Sequence, residues 1–366
     1  MSETIIKQFQ EKITTASQKG QVIRITGSGS KDWYGNNLKG ETLTTKEYSG
    51  ILSYQPDELV ITVKSGTSLK EVEQALAEKN QQFAFEPPHF GPGATIGGMI
   101  AAGLAGPGRV SVGGLRDFVL GAKIMNGQGQ VMDFGGTVMK NVAGYDVSRL
   151  MPSSMGTLAL LLDVSIKVLP KAAATATVSV AMEQSEAIHL MNLLASQPWP
   201  LNASAWLGEK AGMLYLRLSG AKAAVQSAIT SFAKTYGMQQ IDAEEAAAFW
   251  TSLREQTHPW FKNSLEENLW RVALPSTTDT LNLGGETFIE WHGGQRWYKG
   301  SFEPGTIKDL AQSLGGHASI FKAKNKNAQM LSSLKDHPLT AALVSVEDRL
   351  RKTFDPQGVF ATGRLI

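Results

Sequence analysis

The sequence predicts an α+β protein of two domains, the second built on an antiparallel sheet, and three observations carry that prediction. Its 366 residues are more than a single hydrophobic core usually organises. From Pro87 to Arg109, PPHFGPGATIGGMIAAGLAGPGR, there are seven glycines and no acid, so backbone can approach something flat or charged with no Cβ in the way. Beyond Lys171–Thr175, which reads as a domain junction, strand-like runs alternate with amphipathic helices, and few crossover glycine signals intervene. The glycine-rich stretch reads as too dense in glycine for an ordinary helix and too apolar for a free linker. The expectation it raises is a close-fitting, phosphate-bearing cofactor.

Bulk composition narrows the classes. Hydrophobic residues at 42% and charged residues at 19% describe a folded soluble chain with ample material for a core. A formal charge of +2 and the absence of Lys/Arg runs give no footprint for nucleic acid. With no cysteine, disulfides, a thiol nucleophile and a cysteine-ligated iron–sulfur cluster within this chain are excluded. No apolar segment precedes a small-residue cleavage site near the start. The longest apolar runs, Ala94–Ala105 and Thr157–Leu162, fall short of the roughly 20 residues of a spanning helix. The expectation is a cytoplasmic chain, with room left for peripheral membrane association.

In chain order, Ile6, Phe9, Ile13 and Ala16 share one helical face, and Gly20 suits the end of that helix. A strand at Val22–Ile25 leads to Thr26-Gly27-Ser28-Gly29-Ser30-Lys31, a layout that points N–H groups at an anion or simply makes a turn. It is not a Walker loop, and Asp32 stands where a Rossmann fingerprint needs glycine. Strands follow at Gly50–Tyr54 and Leu59–Val63. Ser68 and Glu71 have capping-box spacing before the stripe Leu69, Val72, Leu76. Past the glycine-rich stretch, Phe118–Met125 and Gln130–Phe134 read as a hairpin around Asn126-Gly127. A loop spanning 135–146 leads to a short helix near Leu150, and a strand runs from Thr157 to Leu169.

In the second half, strands are expected near Thr177–Met182, Ala203–Leu207, Met213–Leu218, Leu269–Leu274, Phe288–Trp291 and Arg296–Lys299. Helices are expected near Ser185–Ala195, Ala221–Tyr236, Asp242–Thr257 and Pro304–Leu314. A last helix, about Leu339–Thr353, carries Leu343, Val346 and Leu350. The aromatic-rich stretch around Phe249-Trp250, Trp260-Phe261 and Trp270 reads as core or as a subunit interface.

Three segments taken together, RITGSGSKDWYG, GPGATIGGMIAAGLAGPGR and GGLRDFVLGAKIMNGQG with its continuation KNVAGYDVSRL and GTLALLLDVSIKVLP, resemble the vanillyl-alcohol oxidase / p-cresol methylhydroxylase (PCMH-type) FAD-binding superfamily. Within it, KNVAGYD, the segment Glu290–Trp297 and the terminal FDPQGVF followed by GRL are most similar to the FAD-binding subunits of bacterial glycolate oxidases. The resemblance covers nearly the whole chain. It implies a PCMH-type FAD-binding domain of two α/β subdomains over 1–170, an antiparallel-sheet α+β cap over 171–335, and a C-terminal helix and tail, 336–366, returning to the FAD domain.

It also implies FAD, with the diphosphate clasped between the two Gly-rich segments. On this reading Gly27, Ser28, Gly29 and Ser30 donate to phosphate oxygens, and Tyr34 and Gly35 end that loop. Gly93, Thr95, Ile96, Gly97 and Gly98 form the second clasp, with Gly103 and Gly106 keeping the backbone near. Gly114 and Asp117 belong to the wall beneath the adenosine, Gly156 approaches the ring system, and Arg24, Lys31 or Arg109 compensates charge. The first loop has no His or Cys, so the FAD is expected to be non-covalent. Where the family usually has Asn-Pro-Gly-Arg the chain has Ala361-Thr362-Gly363-Arg364, and Ala159 replaces a usual glycine. The implied reaction is oxidation of glycolate, a small 2-hydroxy acid, to glyoxylate. The implied partners are a catalytic flavoprotein subunit and an iron–sulfur subunit, with any membrane contact made through that complex.

Candidate chemical groups are few. The six histidines, His89, His189, His258, His292, His317 and His337, include no pair at metal-ligand spacing, so no metal is expected. His89 reads either as a proton acceptor for substrate or as a loop histidine bonded to backbone. His292 and Arg296 fall in the cap segment, where Arg296 either holds a carboxylate bidentately or stacks among Trp291, Trp297 and Tyr298. Asp117 and Asp146 read as structural. A scaffold subunit that stabilises the catalytic flavoprotein is the alternative function.

Overall fold

The computed structural model describes residues 2–36, 38–136, 147–262, 267–324 and 341–364. The chain divides into two compact units: Met1–Ala105, Gly113–Lys171 and Leu339–Ile366 form one, and Gly106–Val112 with Ala172–Pro338 the other. The glycine-rich stretch is therefore cut, its end grouping with the second unit. The expected segments Lys140–Asp146 and His337 lie outside the described residues.

In the first unit, helix Ser2–Lys19 buries Phe9, Ile13 and Ala16 against a core that also takes Ile23, Leu43, Leu160, Leu162 and Phe360. Strands Ile23–Thr26 and Glu41–Thr44 pair in parallel, with Ile23 opposite Glu41. A five-stranded sheet follows, in the order Ile51–Gln55, Val60–Lys64, Leu160–Lys167, Val119–Met125, Val131–Gly135. Every neighbouring pair in it is antiparallel. The Asn126 carboxamide oxygen closes the hairpin connection by accepting from the N–H groups of Gln128 and Gln130 at 3.0 and 2.9 Å.

Helix Leu69–Glu78 buries Leu69, Val72 and Leu76 completely, each worth roughly 1.5–3 kcal/mol. Its expected capping box is not formed: Ser68 occupies the N-cap position but its side chain makes no capping bond. The larger correction concerns Ile96–Ala102, which is helical. Ile96, Met99 and Ile100 are buried together, the i, i+3, i+4 pattern of a core face. Thr95 caps the start, its hydroxyl accepting from the Gly98 N–H, and Gly103, left-handed at φ 62°, ends it. Burial and capping outweigh the entropic cost of Gly97 and Gly98.

The second unit is an eight-stranded sheet in the order Gln239–Gln240, Ala174–Glu183, Ala211–Gly220, Leu201–Gly208, Thr287–Glu290, Gln295–Lys299, Leu269–Ala273, His317–Lys322. All pairings are antiparallel. Helices Gln184–Ala195 and Lys222–Tyr236 pack Met191, Leu194, Val225 and Phe232 onto Trp206, Leu214 and Leu216. Helix Pro304–Ser313 packs Ile307 and Ala311 against Trp270, Val272 and Tyr298. The strand His317–Lys322 was not anticipated. The aromatic-rich stretch is interior: Trp250, Trp260 and Phe261 are buried, and Phe261 meets Phe288 and Trp297 edge-on at 5.6 and 6.1 Å.

In the C-terminal helix Ala341–Phe354, Leu343 and Val346 face outward, 50% and 42% exposed, while Phe354 is buried. The Phe354 carbonyl accepts from the Gly127 N–H at 2.9 Å. The tail beyond it returns into the first unit, where Ile23 N–H donates to the Val359 carbonyl at 2.7 Å.

Candidate functional site

The first unit carries an open cleft with about 690 Å³ of space in and over it, open solvent included. Six chain-distant stretches build it. The strand Ile23–Thr26 runs out into Gly27–Asp32; Thr45 and Ser65 follow from the next loops; Thr95, Gly97, Gly98, Ala101 and Ala102 come from the short helix and its cap; Ser154–Gly156, Ala159 and Leu161 form a further side. Arg364 completes the lining from the tail.

Small residues are needed here by contact. A Cβ on Gly27 would lie 2.1 Å from the Thr95 hydroxyl oxygen, and one on Gly97 would lie 2.8 Å from Cβ and 3.0 Å from the carbonyl oxygen of Ser65. Gly97 N–H donates to that same carbonyl at 2.7 Å. The first loop thus packs on the Thr95 side chain, and the start of the short helix closes on the Ser65 turn through backbone.

Charge in the lining consists of Lys31 and Arg364 against one carboxylate, Asp32. Lys31 is buried, its ammonium donating to the His89 carbonyl at 3.2 Å. Arg364 is buried too, and burial pushes its pKa down, with Asp32 opposing that shift. The Ser65 hydroxyl is buried in the wall with no hydrogen-bond partner, a group that a polar ligand would satisfy. Backbone amides, serine hydroxyls and an excess of cation over anion fit a diphosphate-bearing cofactor such as FAD. Among the described residues, no His, Cys or Tyr borders the cleft.

Of the residues expected from sequence, Gly27, Ser28, Gly29, Ser30, Lys31, Thr95, Gly97, Gly98 and Gly156 line the cleft. Others serve elsewhere. Arg24 donates to the Thr42 hydroxyl at 3.0 Å. The Tyr34 carbonyl accepts from Arg364 at 3.1 Å, and Gly35 packs beside the same side chain. Ile96 is fully buried on the core face of the short helix, and Gly103 caps that helix against Ser153. Gly93 is not in the lining, its nearest neighbour being the Ser28 side chain. Asp117 accepts from the Gly114 N–H at 2.8 Å, a local turn.

Gly106 and Arg109 belong to the second unit. The Gly106 carbonyl accepts from the Trp291 indole at 3.2 Å, and the Arg109 guanidinium lies 4.6 Å from the Trp291 ring centre. Of the three cations expected to compensate charge, Lys31 lines the cleft and Arg24 and Arg109 do not, while Arg364, which was not expected there, does.

The candidate chemical groups are also committed to neighbours. His89 Nε2 lies 2.9 Å from a Glu73 carboxylate oxygen, so an acid is among its partners. His292 is buried in the second unit with Nδ1 2.9 Å from the Ser204 hydroxyl. Burial pushes its pKa down to about 4, so it is neutral near pH 7. Arg296 is fully buried and donates to the carbonyls of Gly293 at 3.2 Å, Asp279 at 2.6 Å and Thr278. It ties a loop to the sheet and presents no fork to a substrate carboxylate. Sequence reasoning missed Ser65, Ser154 and Arg364, which reach the cleft only through the topology.

Residues 4–135 match the family described as FAD binding domain. Over 365 residues, all of this chain and 97% of the relative, the sequence is 39% identical to glycolate oxidase subunit GlcE of Escherichia coli (strain K12). It is 29% identical to D-lactate dehydrogenase of Archaeoglobus fulgidus over 46% of this chain and 36% of that one. With glycolate oxidase subunit GlcD of Bacillus subtilis it shares 30% over 42% of its length and 34% of the relative. Among solved structures, alkyldihydroxyacetonephosphate synthase aligns over 96% of this chain and 74% of that one, with a TM-score of 0.65 at 13% identity. That last likeness is one of fold.

Proposed function

The chain belongs to the family of the glycolate oxidase subunit GlcE, and from that premise we propose how this chain serves the oxidation of glycolate to glyoxylate. It is an FAD-dependent oxidoreductase subunit, and the observation that carries the reading is the first-unit cleft. Its floor of Gly27, Gly97 and Gly98 admits a flat, charged molecule against backbone, and Lys31 and Arg364 balance two phosphates. When bound, FAD supplies the acceptor for the hydrogen and electron pair that leave the α-carbon of the 2-hydroxy acid. The chain's own residues hold and orient it: Ser28 and Ser30 with the loop amides toward the diphosphate, and Ser154–Gly156 with Ala159 toward the rest. Attachment is non-covalent on this reading: among the described residues, no nucleophilic side chain that commonly carries flavin borders the cleft.

The proposed electron acceptor is an iron–sulfur cluster, and because the chain has no cysteine to ligate one it is assigned to a partner subunit, alongside a second flavoprotein subunit. Membrane contact, where it occurs, is made through that complex; no helix among the described residues is long and apolar enough to cross a bilayer. A second reading, support of a catalytic flavoprotein without turnover here, is favoured by one observation. His292 and Arg296 are both consumed inside the second unit.

The visible spectrum of the purified chain with FAD, recorded before and after glycolate, separates the readings. Bound flavin bands that bleach mark direct reduction by substrate, and bound flavin that stays oxidised marks the supporting role. A chain that takes up no FAD would overturn both forms of the cofactor reading. Co-purification with a cysteine-rich, iron-containing subunit tests the partner, and its absence from the active complex would remove the proposed electron route.

A further inference from the structure

We propose that Arg364 is a positioning residue for the cofactor, clamping the loop that follows Ser30 to the C-terminal tail, so that the last residues of the chain belong to the FAD site. The inference rests on the reading of the first-unit cleft as that site. Arg364 engages three of four consecutive loop residues. It donates to the Lys31 carbonyl, to the Tyr34 carbonyl at 3.1 Å, and lies 3.9 Å from the Asp32 carboxylate. Its own carbonyl accepts from the Asn36 N–H at 3.3 Å.

The tail reaches this point already anchored. Asp355 accepts from the N–H groups of Val359 and Phe360 at 2.8 and 2.6 Å, and the Thr362 carbonyl accepts from Lys39 N–H at 3.1 Å. On its other side the loop is held by Lys31 on the His89 carbonyl and by Trp33 packed edge-on against Phe90 at 5.1 Å.

The consequence for the cofactor follows from peptide planarity. The Lys31 carbonyl and the Asp32 N–H lie on opposite edges of one rigid plane, so aiming the carbonyl at Arg364 aims the N–H the other way. That N–H closes the turn by donating to the Gly29 carbonyl at 3.0 Å, and the turn so closed presents Ser28 to Ser30 to the cleft. Without the guanidinium the Lys31 and Tyr34 carbonyls each lose a donor, the former keeping the Tyr34 N–H at 3.0 Å, and the closed turn is held less firmly. A lysine keeps the charge but cannot span two carbonyls as a planar fork does.

The test uses the full chain freed of flavin, as wild type, Arg364→Ala and Arg364→Lys, with two readouts. One is FAD affinity from the quenching of flavin fluorescence. The other is the rate of chymotryptic cleavage at Trp33–Tyr34 in the absence of FAD. Arg364→Ala is expected to weaken FAD binding roughly tenfold or more and to speed cleavage, with Arg364→Lys between it and wild type. Unchanged affinity overturns the proposal, whatever the digestion shows. Weaker binding with unchanged cleavage overturns it too, because Arg364 would then be a direct phosphate ligand. If Arg364→Ala does not fold, Arg364→Lys decides, and wild-type behaviour in both readouts sinks the clamp. A wild-type chain that takes up no FAD removes the cofactor reading, whereas a variant matching a wild type that binds FAD removes only the clamp.

Discussion

At the scale of the residue, the cleft is made by atoms that are missing. Gly97 is in backbone contact with Ser65, and a methyl group there would sit 2.8 Å from one side-chain carbon and 3.0 Å from a carbonyl oxygen. Neither neighbour is the free end of a flexible side chain, so the backbone must move. Gly97→Ala is expected to cost about 1–3 kcal/mol in stability and to weaken FAD binding, because the shift opens the contact between the helix cap and the Ser65 turn. Thermal melting of the apo chain and FAD titration check this together. Wild-type values in both would show that the close approach is not needed.

At the scale of the element, the turn Trp291–Gly293 shows how local strain is held by tertiary contacts. Trp291, His292 and Gly293 all have positive φ, 54°, 56° and 100°, a region side chains other than glycine seldom adopt. Ser204 fixes the turn by accepting from the His292 N–H at 2.9 Å and bonding its ring, while Asn192 donates to the His292 carbonyl at 3.1 Å. Because the folded ring resists protonation until about pH 4 and an unfolded histidine takes its proton near 6.5, the unfolded state binds more protons between those values. Stability from this site is therefore whole above pH 6.5 and is lost as pH falls toward 4, by up to about 3 kcal/mol. His292→Asn, with a side chain that tolerates left-handed backbone, should flatten that part of the stability–pH curve. An unaltered slope in denaturant unfolding between pH 4 and 6.5 would sink the assignment.

The same scale shows which elements could be read in advance. Strands Leu201–Gly208 and Ala211–Gly220 fall where the sequence places strands, near Ala203–Leu207 and Met213–Leu218. Ile96–Ala102 was not legible, because glycine content argued against a helix while the buried face and the Thr95 cap argued more strongly for it. Ser68 shows the reverse failure, a capping spacing whose side-chain bond is not made.

At the scale of the whole chain, the family and the cofactor were legible, but half the site's logic was not. The Gly-rich segments announced themselves, while Ser65 and Ser154 carry no local signal, and Arg364 sits in a tail motif whose place at the cleft only the fold reveals. Arg109, named with the clasp from sequence proximity, groups instead with Trp291 in the second unit. A site assembled from distant segments of one unit has a thermodynamic signature. Binding to the native state alone adds about 2.7 kcal/mol when ligand is at a hundred times its dissociation constant, and the gain falls on the unit whose segments the ligand joins. FAD should therefore slow amide exchange first and most in 27–32, 95–98 and 154–161, segments that in the apo chain are tied together by few backbone bonds. Hydrogen-exchange mass spectrometry with and without FAD reads this directly. Protection that appears in only one of the three would mean that the cleft does not close on the cofactor as a unit. Protection confined to the eight-stranded sheet would move the cofactor out of the first unit altogether.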